Sequence, residues 1–209
     1  MIERIKINAH SSIAIEGEPK VYIDPYLIKK ASNDADIIII THDHFDHLSQ
    51  EDIEKVVKED TIFILPESCA DAAIGAGITK THIRTMNAGD EIELEGIKVL
   101  AVAAYNIGKA FHPKENGWLG YVLTIDGCSI YIAGDTDVTE DAKKVKCDIA
   151  MIPAGGTYTT TAAEAAGLVN TIKPKIAVPT HYAAIVGEMK DGDVFEKNVD
   201  PGIEVVKKI

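Results

Sequence analysis

Cysteine is scarce in this sequence, and its few thiols are not paired. The chain of 209 residues contains only Cys69, Cys128 and Cys147, without a Cys-x-x-Cys spacing. An odd number of isolated cysteines argues against a disulfide framework and against a zinc site built from thiolates. The sequence therefore predicts a protein of a reducing compartment, the cytoplasm.

Long apolar runs and an excess of basic residues are absent as well. No run is long enough to span a bilayer, and residues 1–4 lack the basic-then-apolar pattern of an export signal. The formal net charge is −12, and no basic patch offsets it. Because an acidic surface repels polyanions, we expect neither a nucleic acid nor a membrane as partner.

The sequence also has no long linker rich in proline, glycine or serine, and 46% of its residues are hydrophobic. A core of useful size is therefore feasible without cross-links. Its length fits one large domain or two small ones. We expect residues 1–209 to form a single domain.

Short apolar strands and capped helices follow one another along the chain. Residues 37–40 and 176–179 are apolar segments, and both are followed by Thr-His. Thr161 opens a capping box, and Asp126-Gly127 is a strong hairpin signal. Strands that occur in runs separated by helices predict an α/β protein, an αββα four-layer sandwich of two mixed sheets with outer helices.

One segment concentrates the chemistry of metal ligands. Directly after the apolar strand at 37–40 the sequence places His42, His44, Asp46 and His47. Residues two apart on a helix point in different directions, so this spacing fits a strand-to-helix turn folded around an ion. Imidazole and carboxylate suit a borderline divalent cation such as zinc. Packing does not require three histidines in six positions, so we predict a metal site.

These residues belong to a longer pattern that resembles the metallo-β-lactamase fold hydrolases. The family signature His-x-His-x-Asp-His is found at 42–47, and Asp24 resembles its early structural aspartate. Gly134-Asp135-Thr136 resembles its Gly-Asp-Thr segment, and His181 resembles its last metal histidine. The resemblance covers nearly the whole chain and implies the fold and the metal chemistry of that family.

The opening of the chain narrows the resemblance to one branch. Residues 8–12, the Asp-Pro pair at 24 and 25, and the strand with Trp118 are most similar to the branch that contains L-ascorbate-6-phosphate lactonase and N-acylphosphatidylethanolamine phospholipase D. A β-lactamase is disfavoured, because the resemblance is to this other branch and no export signal is evident.

The resemblance implies a site for two divalent metal ions, with zinc favoured and manganese or iron as alternatives. His42 and His44 are expected to bind the first ion, and Asp135 to bridge the two. The ligands expected for the second ion are Asp46, His47 and His181. Asp46 is also the expected catalytic residue, because a carboxylate can orient the nucleophilic water or carry a proton.

One ligand of the first ion is ambiguous. The family pattern expects a histidine near Asn106, and His112 follows on the same loop. Since imidazole is a better zinc ligand than an amide, His112 is the favoured ligand, with substrate contact as its alternative role. Asn106 remains the alternative ligand.

Three weaker features receive structural interpretations first. His10 is interpreted as a structural strand histidine, with a place near the pocket as its alternative. Trp118 is interpreted as a core residue, with a substrate platform as its alternative. Gly155-Gly156 either forms a turn or offers backbone N–H groups to an anionic substrate.

The resulting hypothesis is a metal-dependent hydrolase that uses a metal-bound hydroxide on an ester, lactone or phosphodiester bond of a small molecule. Two other hypotheses stay open: a di-iron redox protein, since His and Asp also suit iron, and a non-catalytic metal-binding protein of the same fold. A small-molecule substrate is the expected partner. Substrate identity and homo-oligomer formation are left open, because substrate choice lies in loops without a transferable code.

Overall fold

A computed structural model describes residues 1–209. The chain divides into two compact units, Met1–Asn87 and Ala88–Ile209. Each unit is built on one mixed β-sheet of its own. The expectation of a single domain over residues 1–209 stays a prediction.

The first unit contains a six-stranded sheet in which the strands follow chain order. The first three strands pair antiparallel, and the third to the sixth pair parallel. Val21–Ile23 and Ile37–Ile39 are buried throughout, as expected for strands covered on both faces. The strands are β1 (Ile5–Ala9), β2 (Ser12–Ile15), β3 (Val21–Ile23), β4 (Ile37–Ile39), β5 (Ile62–Pro66) and β6 (Ile83–Met86).

Two short helices accompany this sheet, α1 (Gln50–Val56) and α2 (Ala70–Gly75). The start of α1 is fixed by Ser49, whose side chain accepts a hydrogen bond from the backbone N–H of Asp52. Because α1 begins soon after β4 ends, the histidine-rich segment forms the strand-to-helix connection that the sequence predicts.

The second unit contains a seven-stranded sheet with the spatial order β13-β12-β11-β10-β9-β8-β7. Strands β7 to β10 pair antiparallel, and β10 to β13 pair parallel. The predicted hairpin between β9 and β10 is present, with positive φ at both Asp126 (51°) and Gly127 (75°). The strands are β7 (Glu91–Leu94), β8 (Ile97–Ala103), β9 (Leu119–Ile125), β10 (Cys128–Ile132), β11 (Ile149–Pro153), β12 (Ile176–Thr180) and β13 (Glu204–Val205).

Helices α3 (Ala162–Ile172) and α4 (Lys190–Asn198) complete the second unit. The apolar stripe of α3, with Leu168 and Val169, is buried in one cluster with Tyr131 of β10 and Phe195 of α4. Two mixed sheets with helices confirm the predicted fold class. No helix combines the length and the apolar composition that crossing a bilayer requires.

The capping box of α3 yields the first prediction. Thr161 accepts from the backbone N–H of Glu164, and the Glu164 carboxylate accepts from the backbone N–H of Thr161. Thr161→Ala should lower the free energy of unfolding by about 1 kcal/mol, since an orphan N–H loses its acceptor. Urea denaturation measures this loss. The control is Thr171→Ala in the same helix, where an exposed hydroxyl bonds within the helix to Gly167; an equal loss there would contradict the capping argument.

Candidate metal-binding residues

The turn after β4 places imidazole groups side by side. His42 and His47 are buried, and their ring centroids lie 3.9 Å apart. His44 is half-buried, and its Nδ1 lies 3.1 Å from Nε2 of His42. The turn is closed by the N–H of His47, which donates to the carbonyl of His44. Sequence reasoning grouped these histidines, and the structure brings them together.

The aspartate at the end of β3 orients this cluster. Asp24 is buried at a positive φ of 46°, and its carboxylate accepts from the backbone N–H and the hydroxyl of Thr41 at 2.8 and 2.7 Å. The same carboxylate lies 2.7 Å from Nδ1 of His47. A carboxylate only accepts, so His47 donates from Nδ1, and its metal-binding lone pair is on Nε2.

Thr41 orients the ring of His42 through its own hydrogen bond to Asp24. Its hydroxyl hydrogen is donated to Asp24, so its oxygen accepts from Nδ1 of His42 at 3.0 Å. His42 and His47 are therefore both held with Nε2 as the lone-pair nitrogen. This is the arrangement that imidazole ligands adopt when a second group fixes their tautomer.

Asp46, the predicted catalytic residue, lies against two imidazoles of the same unit. Its Oδ2 is 3.5 Å from Nε2 of His47 and 3.4 Å from Nε2 of His10. His10 is fully buried in the turn between β1 and β2, at a positive φ of 54°. The structural interpretation of His10 did not foresee this contact, and the alternative of a place near the pocket fits it better. The sequence signal, one isolated histidine, is weak alone.

The second unit holds another group of buried donors. Asp135 follows β10, and its Oδ2 lies 3.0 Å from Nε2 of His181 and 3.4 Å from Nε2 of His112. All three side chains are buried. The resemblance implied Asp135 and His181 as ligands, and His112 was favoured because imidazole binds zinc better than an amide does. The structure places the three carboxylate and imidazole groups together.

His112 and Asn106, expected as alternatives, are in direct contact. Nδ1 of His112 lies 3.0 Å from Oδ1 of Asn106, while the opposite edge of the ring, Nε2, faces Asp135. Trp118 is buried as predicted and packs edge-on against the same imidazole, with the ring centroids 5.3 Å apart. The imidazole, and not the amide, is therefore the group directed at Asp135.

A glycine holds the turn that carries His181. His181 follows β12 and has a positive φ of 55°. A Cβ atom added to Gly155, which follows β11, would lie only 2.2 Å from the carbonyl oxygen of His181. Close approach of two backbones thus requires glycine at this position. This contact explains Gly155 as a packing residue; whether Gly155-Gly156 also meets an anionic substrate stays a prediction.

Two of the three thiols have a pKa raised well above the ordinary value of a thiol, which disfavours the thiolate form. Burial raises the pKa of Cys69 and of Cys147 to about 12, so both stay protonated near neutral pH. Burial raises the pKa of the Tyr26 phenol, and the nearby carboxylates of Asp46 and Asp52 raise it further. The Tyr26 phenol therefore stays neutral near neutral pH.

Comparison with known proteins places the chain in a family. Residues 4–181 match the model of the beta-lactamase superfamily domain. A UPF0173 metal-dependent hydrolase of Thermococcus onnurineus is 30% identical over 217 residues, covering 97% of this chain and 95% of the relative. The chain belongs to the UPF0173 metal-dependent hydrolases of the beta-lactamase superfamily.

A second UPF0173 relative and a solved structure agree with this membership. A UPF0173 metal-dependent hydrolase of Lysinibacillus sphaericus is 32% identical, covering 91% of this chain and 90% of the relative. A crystal structure from Parabacteroides distasonis, described as a metal-dependent hydrolase, superposes with a TM-score of 0.82 at 33% identity, covering 97% and 91% of the two chains. The predicted family is therefore confirmed, at the level of a metal-dependent hydrolase.

The fold itself extends to oxidative enzymes. CmlA, a di-iron β-hydroxylase from Streptomyces venezuelae, superposes on 98% of this UPF0173 hydrolase with a TM-score of 0.79, at 13% identity and over 52% of its own chain. At that identity the likeness concerns the fold alone. A shared fold fixes neither the metal nor the reaction, which depend on the residues of the site.

The close approach at Gly155 yields the second prediction. Gly155→Ala should shift the His181 turn and weaken the binding of Zn²⁺, because the added methyl group cannot fit beside the His181 carbonyl. The matched control is Gly167→Ala within α3, where the added Cβ meets open space and should stabilise the helix by about 0.5–1 kcal/mol. Zinc titration and thermal unfolding of both variants measure the difference; unchanged zinc affinity in Gly155→Ala would contradict the role of this contact.

Proposed function

We propose that this chain binds two divalent ions, zinc in the first place, through the ligand set implied by its family pattern. The support is the donor set within each unit: imidazoles and carboxylates are buried together, and oxygen acceptors direct the ring nitrogens of His42, His47 and His112. Burying so many ionisable groups is costly unless they are paired or coordinate a metal. The proposed ligands are His42, His44, Asp46, His47, His112, Asp135 and His181.

The reaction that this donor set supports best is hydrolysis. Divalent ions held here would lower the pKa of a coordinated water and polarise the bond that is cleaved. Asp46 contributes a carboxylate oxygen that can accept or return a proton, and His10 lies 3.4 Å from that oxygen. We assign Asp46 as the general base and His10 as the group that orients it.

The proposed substrate is a small molecule with an ester, lactone or phosphodiester bond. The support is the resemblance of residues 8–12 and of the Trp118 strand to the branch of the ascorbate-6-phosphate lactonase and the phospholipase D named above. The net charge of −12 argues against polyanionic partners such as nucleic acids. We place the protein in the cytoplasm, on its three free and separate thiols. Membrane binding is not part of the proposal, and a homo-oligomer is compatible with it.

A di-iron redox protein is the second candidate, because His and Asp donors also suit iron; the fold is compatible with it, since CmlA, which shares the fold, is a di-iron β-hydroxylase. A non-catalytic metal protein is the third. The three differ in measurable ways: hydrolysis without oxygen consumption, oxygen consumption by the iron-loaded protein, or metal binding without turnover. A panel of lactones, aryl esters and phosphodiesters, tested with zinc, manganese and iron, separates them.

Metal content is the third prediction. Protein purified without chelators and supplied with zinc, manganese or iron should carry up to two ions per chain, because the seven proposed ligands suffice for two sites. His47→Ala and His181→Ala should each lower the stoichiometry. Elemental analysis measures it, and a metal-free protein under all three supplies would contradict the proposal.

The role of Asp46 is the fourth prediction. Asp46→Asn should reduce turnover by about 10²–10⁴-fold, the usual cost of losing a general base, while the fold remains intact. The matched control is Asp43→Asn, which makes the same chemical change at an exposed position of the same turn. Initial rates on a substrate accepted by the wild type, with circular dichroism as the fold control, provide the measurement. Near-normal turnover in Asp46→Asn would reject the assignment.

A further inference from the structure

The amide of Asn106 has only one orientation that satisfies its surroundings. Its Nδ2 donates to the main-chain carbonyl of Tyr158 at 2.9 Å, and its Oδ1 faces Nδ1 of His112 at 3.0 Å. The flipped amide would place its oxygen against the Tyr158 carbonyl, where two acceptors would face each other. Tyr158 therefore fixes which end of the amide meets the imidazole.

The imidazole in turn has only one tautomer that fits this amide. An amide oxygen accepts and never donates, so Nδ1 of His112 must carry the hydrogen. The lone pair is then on Nε2, which lies 3.4 Å from Oδ2 of Asp135. Asn106 is 8% exposed and His112 is 1% exposed, so bulk water does not replace this contact easily.

The loop that carries both residues is clamped to the rest of its unit. The N–H of Asn106 donates to the carbonyl of His112 at 2.7 Å, which closes the loop on itself. Lys109 donates to Asp137 at 2.6 Å and to the Thr159 carbonyl at 2.7 Å.

Two aromatic rings add a further contact between the same segments. The rings of Phe111 and Tyr158 meet edge to face, with centroids 4.7 Å apart. The position of the Tyr158 carbonyl, on which the amide depends, is thus set by several independent contacts.

We propose that Asn106 is the positioning residue of His112: a neutral amide, itself oriented by the Tyr158 carbonyl, that selects the tautomer in which Nε2 of His112 binds metal. The proposal rests on the proposed function for the metal, but the tautomer is a property of the metal-free protein. The sequence pattern offered Asn106 and His112 as rival ligands. The geometry instead makes the amide the partner of the imidazole.

The first experiment measures the tautomer directly. At about pH 8, where imidazole is ordinarily neutral, ring ¹⁵N NMR of metal-free protein should show His112 protonated at Nδ1, with the signal assigned through its loss in His112→Gln. An Nε2–H tautomer in the wild type would overturn the proposal, whether or not any metal binds and whether or not any Asn106 variant folds. This readout therefore fails separately from the proposed function.

Variants of Asn106 then test the cause. Asn106→Leu removes the acceptor, and Asn106→Asp keeps an oxygen toward the imidazole. Zn²⁺ affinity, measured by competition with a chromophoric chelator, should fall about 10–100-fold in Asn106→Leu, the usual effect of losing an outer partner of a ligating histidine. Asn106→Asp should bind Zn²⁺ more tightly than Asn106→Leu and should retain the Nδ1–H tautomer. Equal affinities in the wild type and Asn106→Leu would overturn the proposal.

Asn170→Leu is the matched control. Asn170, at the end of α3 in the same unit, also donates to a carbonyl, that of Asn198, and accepts from a backbone N–H, that of Asp200. Its loss should leave the tautomer and the Zn²⁺ affinity at the wild-type level. If Asn170→Leu weakened Zn²⁺ binding as much as Asn106→Leu, the effect would be one of general stability, and the positioning role would be rejected.

Discussion

The cost of burying an imidazole ring is the constraint on which both donor clusters depend. A buried ring N–H needs an acceptor, and each cluster supplies one of a different kind. His47 meets the Asp24 carboxylate at 2.7 Å, and His112 meets the Asn106 amide at 3.0 Å. The first of these hydrogen bonds joins the end of β3 to the turn after β4, and the second lies within one loop. Each of them also decides which ring nitrogen carries the lone pair.

The parallel strands explain why these segments meet. Neighbouring parallel strands end at the same edge of a sheet, and the residues just beyond them share that edge. In the first unit, Asp24 after β3 and Thr41 after β4 are joined by two hydrogen bonds. In the second unit, Asp135 after β10 and His181 after β12 lie 3.0 Å apart. The polar residues that follow the buried strands therefore lie at one edge of the sheet, beyond the last strand hydrogen bonds, where their side chains can come together.

Local signals were sufficient for much of this arrangement. The cap of α3 at Thr161 and the Asp126-Gly127 hairpin follow from short-range chemistry, and the structure has both. The metal-ligand character of the histidine segment was also predictable, because its spacing suits neither one face of a helix nor a packed core. What these features share is that the interacting residues lie within a few positions of one another.

Long-range contacts set the limit of sequence reasoning. His10, which has a positive φ in the β1–β2 turn, contacts Asp46, a residue far from it in the sequence. Gly155 matters because a carbonyl of a distant strand end lies against it. Helix α4 gave no strong signal either, since Phe195 is its only buried large apolar side chain. None of these features has a local pattern that separates it from an ordinary turn or surface segment.

The lack of a local sequence signal also explains why Asn106 was interpreted as an alternative metal ligand in place of a histidine. A family pattern compares residue types position by position, so an amide near an expected histidine suggests a weakened ligand. In the structure the imidazole belongs to His112, six residues after Asn106, and the Asn106 amide is its hydrogen-bond partner. The two clusters then differ in one physical respect: His47 is polarised by a charged acceptor, His112 by a neutral one. Because a carboxylate partner raises the basicity of an imidazole more than an amide does, Nε2 of His47 is the stronger electron donor and Nε2 of His112 the weaker one.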